Sequence, residues 1–348
     1  MNRSAMYKTI YAKIAAMSAQ LLTAEDYKQL IAMNSTGDIA GYLKNNTVYG
    51  PLFREMDPGA VHRSLLEEIL KERVILAAGR LIHYLDGDYK KFIRGILMKN
   101  EIRELKTVAR RILIEKDVDR ITEGCLYLAK NQKLDLNKLE AARSIRELID
   151  ALEGTVYFNF LKNVRDEAES GSLFHFEMAL DKAYFSILGE YAEHLAPEDR
   201  KAFIEIYGSI TDMLNIQLIY RGKRYFDLPP DVLFNYSLPF GNRLPYKKVL
   251  ALCYSKDWQD LQKIVQDTPY GFLLKGDDKQ DIYMERRMNR YLYYRLRSRL
   301  KRSSDDISPL FAFLELLELE VKDITAIIEN VKYGLDLDIA STYLIKAV

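Results

Sequence analysis

A short turn that recurs three times constrains this chain more than any other feature. Thr47-Val-Tyr49-Gly50, within "NNTVYGPLF", returns as Thr155-Val-Tyr157-Phe158 in "GTVYFNFL" and as Thr268-Pro-Tyr270-Gly271 in "DTPYGFLL". The threonines stand at 47, 155 and 268, steps of 108 and 113 residues. Each copy follows a short helical pattern with apolar residues four apart: Ile39/Leu43, Leu148/Leu152 and Leu261/Val265. A long helical pattern follows each, roughly over 58–85, 174–195 and 280–302. A second landmark then appears, an acid, two residues, a short polar residue and a branched apolar one. Its copies are Glu101-Ile-Arg-Glu104-Leu105, Asp212-Met-Leu-Asn215-Ile216 and Glu320-Val-Lys-Asp323-Ile324, beginning 54, 57 and 52 residues beyond their threonines. A further Thr-x-Tyr, Thr9 to Tyr11, lacks the apolar tail and the following elements and is set aside as coincidence.

Two landmarks in one order at matched offsets predict a triplicated module. Similar units, each with an apolar face that it cannot bury alone, stack on one another. Units of this length are too long for a solenoid repeat. They suit three similar helical subdomains around a pseudo-threefold axis, with a mouth or cavity on that axis. The corresponding division is 1–118, 119–228 and 229–348.

Periodicity predicts an all-α chain. Ile10, Ile14, Met17 and Leu21 form one helical stripe, and "TAED" and "STGD" each supply an N-cap with an acid three residues on. In "DPGAVHRSLLEEIL" Asp57 caps and Pro58 takes the first helical position. The stretch "RYFDLPPDVLFNYSLPFGNRLP" (224–245), with four of the nine prolines, reads as an extended connector.

Composition excludes several classes. With 48% apolar and 29% charged residues the chain is globular, and its 348 residues exceed a usual single core. Lys and Arg (51) balance Asp and Glu (50), so no global field draws it to nucleic acid or an anionic bilayer. Cys125 and Cys253 lie far apart outside any CxxC, which favours packed thiols in a reducing compartment over a bridge. The first residues lack the continuous apolar core of a secretory signal. No run of about 18 apolar residues occurs; "ISPLFAFLELLELEV" is broken by Glu315, Glu318 and Glu320.

Catalytic patterns are absent. His62, His83, His175 and His194 have no partners at metal-ligand spacing, and no phosphate-binding glycine loop or nucleophile elbow occurs. "DGD" at Asp86 lacks the rest of a calcium loop. Glu318 and Glu320, two apart on a helix, face different ways and read as a solvated rim. No catalytic, cofactor or metal residues are assigned.

One local feature stands out. In "MERRMNRYLYYRLRSRLKR", Arg286, Arg290, Arg297 and Lys301 fall in a narrow helical stripe, with Leu292, Leu296 and Leu300 on another side facing the core. An outward basic stripe fits an ordinary solvated face or a docking surface for an acidic partner. A third use is an RNA-binding scaffold, with Tyr293 and Tyr294 stacking bases. The neutral total charge and the absence of a nucleic-acid module weigh against that third use.

These landmarks resemble a known family, the C/AC39 subunit of the archaeal and bacterial A/V-type ATPases, whose counterpart in eukaryotic V-type pumps is the d subunit. The resemblance covers essentially the whole chain. It rests on the Thr47-Val-Tyr49-Gly50 turn, on "NEIRELKTVARR" (100–111), and on "DMLNIQLIYRGK" (212–223), where Asp212, Asn215, Ile216, Arg221 and Lys223 all fall in place. "LPFGNRL" (238–244) resembles the family's Ile-Pro-Gly-Gly-x-Leu, and "ELEVKDITAIIENVKYGL" its final Glu-x-Glu-x-x-Asn-Leu-Arg segment. Glu104 and Asp323 depart from an Asn, Phe240 from a Gly, and Thr325 from an Arg. The resemblance implies an all-α funnel of three similar subdomains. It also implies a non-catalytic coupling piece between the central shaft of the catalytic head and the proteolipid rotor ring. One copy would sit in each complex, peripheral on the cytoplasmic side and touching the membrane only through the ring.

Overall fold

The computed structural model describes residues 3–114, 121–130, 134–165, 173–275, 280–301, 306–334 and 344–346, and every regular element among them is helical. The all-α expectation holds. The chain forms two compact units, one from both chain ends (1–86 with 272–348) and one from the middle (87–271). The module boundary expected at 118/119 lies outside the described residues.

The first unit begins with α1 (Arg3–Ser18), α2 (Ala24–Ile31), α3 (Thr36–Asn46), α4 (Gly50–Phe53) and α5 (Arg63–Ile82). The middle unit starts with the long α6 (Gly87–Ile114) and the short α7 (Leu126–Lys130), α8 (Leu136–Ala141), α9 (Ile145–Ala151) and α10 (Phe158–Leu161). It continues through α11 (Leu173–Glu193), α12 (Pro197–Phe203), α13 (Ser209–Tyr225), α14 (Pro230–Asn235), α15 (Tyr246–Cys253) and α16 (Trp258–Gln266). The chain then returns to the first unit as α17 (Gln280–Lys301) and α18 (Ser308–Tyr333).

Caps set the starts of the short helices. Thr23 and Asp26 form a complete capping box at α2, and Ser35, Ser144 and Asp257 each accept the N–H three residues on at α3, α9 and α16. Asp57 caps a single 3-10 turn over Pro58–Ala60 rather than the long helix; α5 starts at Arg63, where the His62 ring accepts the Leu65 N–H.

In the first unit α18 packs against α17, α5 and α1. Its first half is apolar on nearly every side because the unit surrounds it: Leu310, Phe311, Phe313 and Leu317 are all fully buried. The same enclosure overturns the expectation of a solvated rim, since Glu318 and Glu320 are both only 6% exposed. Ile324, Ile327 and Ile328 then join Leu30, Ile39, Leu43, Tyr49 and Phe53 in one core cluster.

In the middle unit α6 packs along α11, where Gly95 lets the helices approach; a Cβ there would meet the Tyr191 ring at 2.8 Å. The stretch 224–245 is not an extended connector. α13 runs on to Tyr225, and α14 forms within it with prolines at its N-terminus, where a missing N–H costs nothing. Cys125 and Cys253 are buried free thiols.

Candidate functional site

The recurrent turn has a local cause. Each threonine ends a short helix by donating its hydroxyl to a carbonyl of the last turn: Thr47 to Leu43, Thr155 to Leu152 and Thr268 to Val265, each at 2.6 Å. In the first and third copies the same oxygen accepts the N–H of the tyrosine two residues on, at 3.2 Å. Such a side-chain turn redirects the chain and fixes the direction of the tyrosine. Gly50 is needed after it, since a Cβ there would lie 2.5 Å from the Lys44 carbonyl oxygen.

All three tyrosines point inward, and each donates its phenol to the leading acid of the second landmark. Tyr157 donates to Glu101 at 2.6 Å, Tyr270 to Asp212 at 2.8 Å and Tyr49 to Glu320 at 2.9 Å. Tyr49 and Tyr270 are fully buried, as are Asp212 and Glu320 to within a few per cent. Both landmarks are visible in sequence, but their union is not. Each acid binds the tyrosine of the copy after it, and the last acid returns to the first tyrosine.

A third element completes each lock. The short polar residue of the second landmark grips backbone farther along the chain. Glu104 accepts the Tyr127 and Leu128 N–H groups, both at 2.9 Å. Asn215 accepts the Leu238 N–H at 2.7 Å and donates to the Leu238 carbonyl at 3.0 Å. Asp323 accepts from Ile345 at 2.7 Å and from Lys346 at 3.1 Å. The separations are 23 and 24, 23, and 22 and 23 residues. A carboxylate at this position accepts two N–H groups where the amide accepts one and donates one, so both chemistries hold a strap. That accommodates the departures at Glu104 and Asp323. No sequence signal marks the straps, because "CLYL", "SLPF" and "YLIK" share little beyond a leucine.

The carboxylates bear the electrostatic cost of burial. Desolvation raises Glu320 to about 7, against hydrogen bonds from the Leu22 N–H and Tyr49 and the fields of Arg73 and Lys346. It raises Asp323 to about 6, against the Ile345 and Lys346 N–H groups. Asp212 is also raised by burial, although it collects Asn242, Arg243, Leu244 and Tyr270 on one oxygen.

The Asp212 lock carries the departure at Phe240. Its φ is 65°, a left-handed backbone that suits the glycine found in the family pattern. The ring lies over Gly189, where a Cβ would sit 2.0 Å from a ring carbon. A small residue on α11 therefore accommodates the large one in the loop.

The four basic residues of α17 do not form one exposed stripe. Arg297 and Lys301 are exposed and line a cavity of about 790 Å³ with α1, α18 and Lys346. Arg286 and Arg290 are half-buried and surround a separate hollow of about 370 Å³ with Tyr283 and Arg287. Arg290 donates to the Leu344 carbonyl at 3.1 Å, so it also holds the C-terminal strap. Of the histidines, His62 caps α5 and His175 shares a hydrogen bond with Tyr236. Among the described residues no group of His, Cys, Asp or Glu could hold a metal ion, and no helix is long and apolar enough to cross a membrane.

The model of the ATP synthase (C/AC39) subunit family matches residues 10–343. The C subunit of the A-type ATP synthase of Methanosarcina mazei is 24% identical, over 83% of this chain and 78% of its own length. That of Methanocaldococcus jannaschii is 24% identical over 94% of this chain and 83% of its own. That of Methanococcoides burtonii is 26% identical over 75% and 72%. Matched nearly from end to end by the family's model, the chain belongs to the ATP synthase (C/AC39) subunit family.

Proposed function

We propose that this chain is a non-catalytic component of the central stalk of an A/V-type rotary ATPase. In that role it links the shaft of the catalytic head to the membrane proteolipid rotor ring and transmits torque between ATP turnover and H⁺ or Na⁺ movement. The single observation that carries the proposal is the family match over residues 10–343. One copy per complex, peripheral on the cytoplasmic side, completes the assignment.

The locks supply a physical basis for torque transmission. A coupling piece must resist shear, and buried charge-assisted hydrogen bonds between separate parts of the chain do so at fixed points. Their order along the chain, each acid to the next tyrosine and the last to the first, supports three similar modules around a pseudo-threefold axis. We assign the docking of an acidic stalk partner to the basic residues of α17: Arg286, Arg290, Arg297 and Lys301.

The test is affinity purification of the tagged full chain from its host in mild detergent, with mass identification. The proposal expects catalytic-head and proteolipid subunits in fixed ratio to the chain. Recovery of the chain without either set contradicts it. Arg286→Glu with Arg297→Glu, which spares the Arg290–Leu344 bond, is expected to lower that recovery several-fold while leaving the isolated helical fold intact. Undiminished recovery would remove α17 from the interface.

A further inference from the structure

The cavity beside the Glu320 lock lies wholly within the first unit, and residues of that lock and strap form part of its lining. Its volume is about 790 Å³, in the range of sites that enclose small ligands. Apolar lining comes from Ile14 of α1, Leu22 of the α1–α2 connection, Leu300 of α17, and Leu316 and Leu319 of α18. Arg297, Lys301 and Lys346 are also in the lining, and Arg297 is close enough to Lys346 for its charge to lower the Lys346 pKa. Arg297 and Lys301 are four apart on α17 and so lie one above the other on the same side of the helix. Lys346 is fixed by donating to the Leu22 carbonyl at 2.5 Å, and its ammonium lies 4.6 Å from the Tyr27 ring centre. Tyr11, Tyr293 and Tyr294 supply amphipathic walls, with the Arg297 guanidinium 5.9 Å from the Tyr293 ring.

Glu320 and Asp323 also line the cavity, but their oxygens are turned to Leu22, Tyr49, Ile345 and Lys346. Burial raises the Glu320 carboxyl to about 7, so near neutral pH part of its negative charge is neutralised. The lining comes from four helices, a loop and the tail.

From the apolar lining and the three cations we infer that this cavity binds an anionic amphiphile with one alkyl chain, its phosphate or carboxylate held by Arg297, Lys301 and Lys346. The alkyl chain lies along Ile14, Leu300, Leu316 and Leu319. The inference does not depend on the stalk assignment, because it concerns the isolated chain.

The test is calorimetric titration of the full chain at low salt with dodecyl phosphate below its micelle concentration. Inorganic phosphate and phosphatidylglycerol vesicles are run in parallel. One saturable site of micromolar affinity is expected for dodecyl phosphate, with no measurable site for inorganic phosphate at the same concentrations. Arg297→Glu with Lys301→Glu should weaken dodecyl phosphate about tenfold or more. Ala15→Phe, at an exposed small residue of the cavity wall, should block the alkyl chain while circular dichroism and Tm stay unchanged. Binding of dodecyl phosphate and of vesicles, both lost in these variants, supports the site and identifies a bilayer as the source. Binding of dodecyl phosphate alone supports it with a free amphiphile. Absence of a saturable site overturns the inference, as does equal affinity for inorganic phosphate or binding that both variants leave unchanged.

Discussion

At the residue scale, the phenol–carboxylate pair is the unit of the architecture. Tyr49 and Tyr270 donate to acids that burial has stripped of water, and Tyr157 donates to the half-buried Glu101. Removing the hydroxyl leaves that acid with one donor fewer, and hydrogen bonds to charged groups contribute about 1.5–3 kcal/mol. Each Tyr→Phe change should therefore cost about 2 kcal/mol in denaturant unfolding of the middle or the terminal unit. Losses below about 0.5 kcal/mol at all three positions would show that the pairs are incidental.

Glu320 adds a pH signature. Its folded value of about 7 lies above the ordinary 4.5, so the folded chain holds a proton that the unfolded chain has released. Stability from this group is thus present at low pH and lost as pH rises from about 4.5 to about 7. Asp323, raised from 3.8 to about 6, acts in the same direction. The groups facing Glu320 are Tyr27 and Tyr49, Arg73 of α5, Asp323 on its own helix and Lys346 of the tail. Glu320→Gln mimics the protonated acid, so the variant should gain Tm relative to the parent on going from about pH 5 to about pH 8. A Tm difference that does not change with pH would contradict the assignment.

The residue scale also marks where sequence legibility ends. The Thr-x-Tyr turn and the acid landmark are readable because they repeat. Glu320 reads as part of a solvated rim because helical spacing places a residue on a face without saying whether a neighbour covers it. Here α18 is covered on most sides in its first half, so Glu318 and Glu320 are both buried although they face different ways, while Glu315 stays half-buried.

At the element scale, the straps explain why short, poorly patterned segments are held in place. Leu128 lies in a helix of five residues, and Leu238 and Ile345 lie in none, so the polar residue on a long helix fixes them instead. The loop after Leu238 carries a strained Phe240, and a left-handed non-glycine residue costs of order 1–3 kcal/mol unless its surroundings impose it. Gly189→Ala should destabilise the middle unit by about 1–3 kcal/mol through collision with that ring. In the background of Phe240→Gly the same change should cost almost nothing, so a double-mutant cycle should show strong coupling. Additive losses would mean the ring does not occupy the space over Gly189. The basic face of α17 is where element-level reasoning falls short. Periodicity groups four cations, yet Arg290 is tied to Leu344 and only Arg297 and Lys301 of the four stand exposed beside the large cavity.

At the scale of the whole molecule, the division into a middle unit and a unit of both chain ends follows from the direction of the locks. Turn and acid lie about half a repeat apart. Glu101 is 56 residues before Tyr157 and Asp212 is 58 before Tyr270, close to the 54 and 57 that separate the same acids from the preceding threonines. Sequence offsets alone are therefore compatible with pairing in either direction, and only tertiary contact chooses. Because pairing runs forward, the final acid finds its tyrosine at the start of the chain, and Glu320 brings the two ends together on Tyr49. All-α architecture is legible from periodicity throughout, since helix faces are set locally; closure is not, since it depends on which distant faces meet.

The most direct measurement of the central claim, that this chain couples shaft to rotor, is a side-chain-resolution electron cryomicroscopy map of the ATPase purified through the tagged chain. One copy is expected between the tip of the central shaft and the proteolipid ring, with its three tyrosine–carboxylate locks closed and acidic partner residues against α17. A complex in which the chain is missing from the central stalk, or attached only at the periphery of the head, would contradict it.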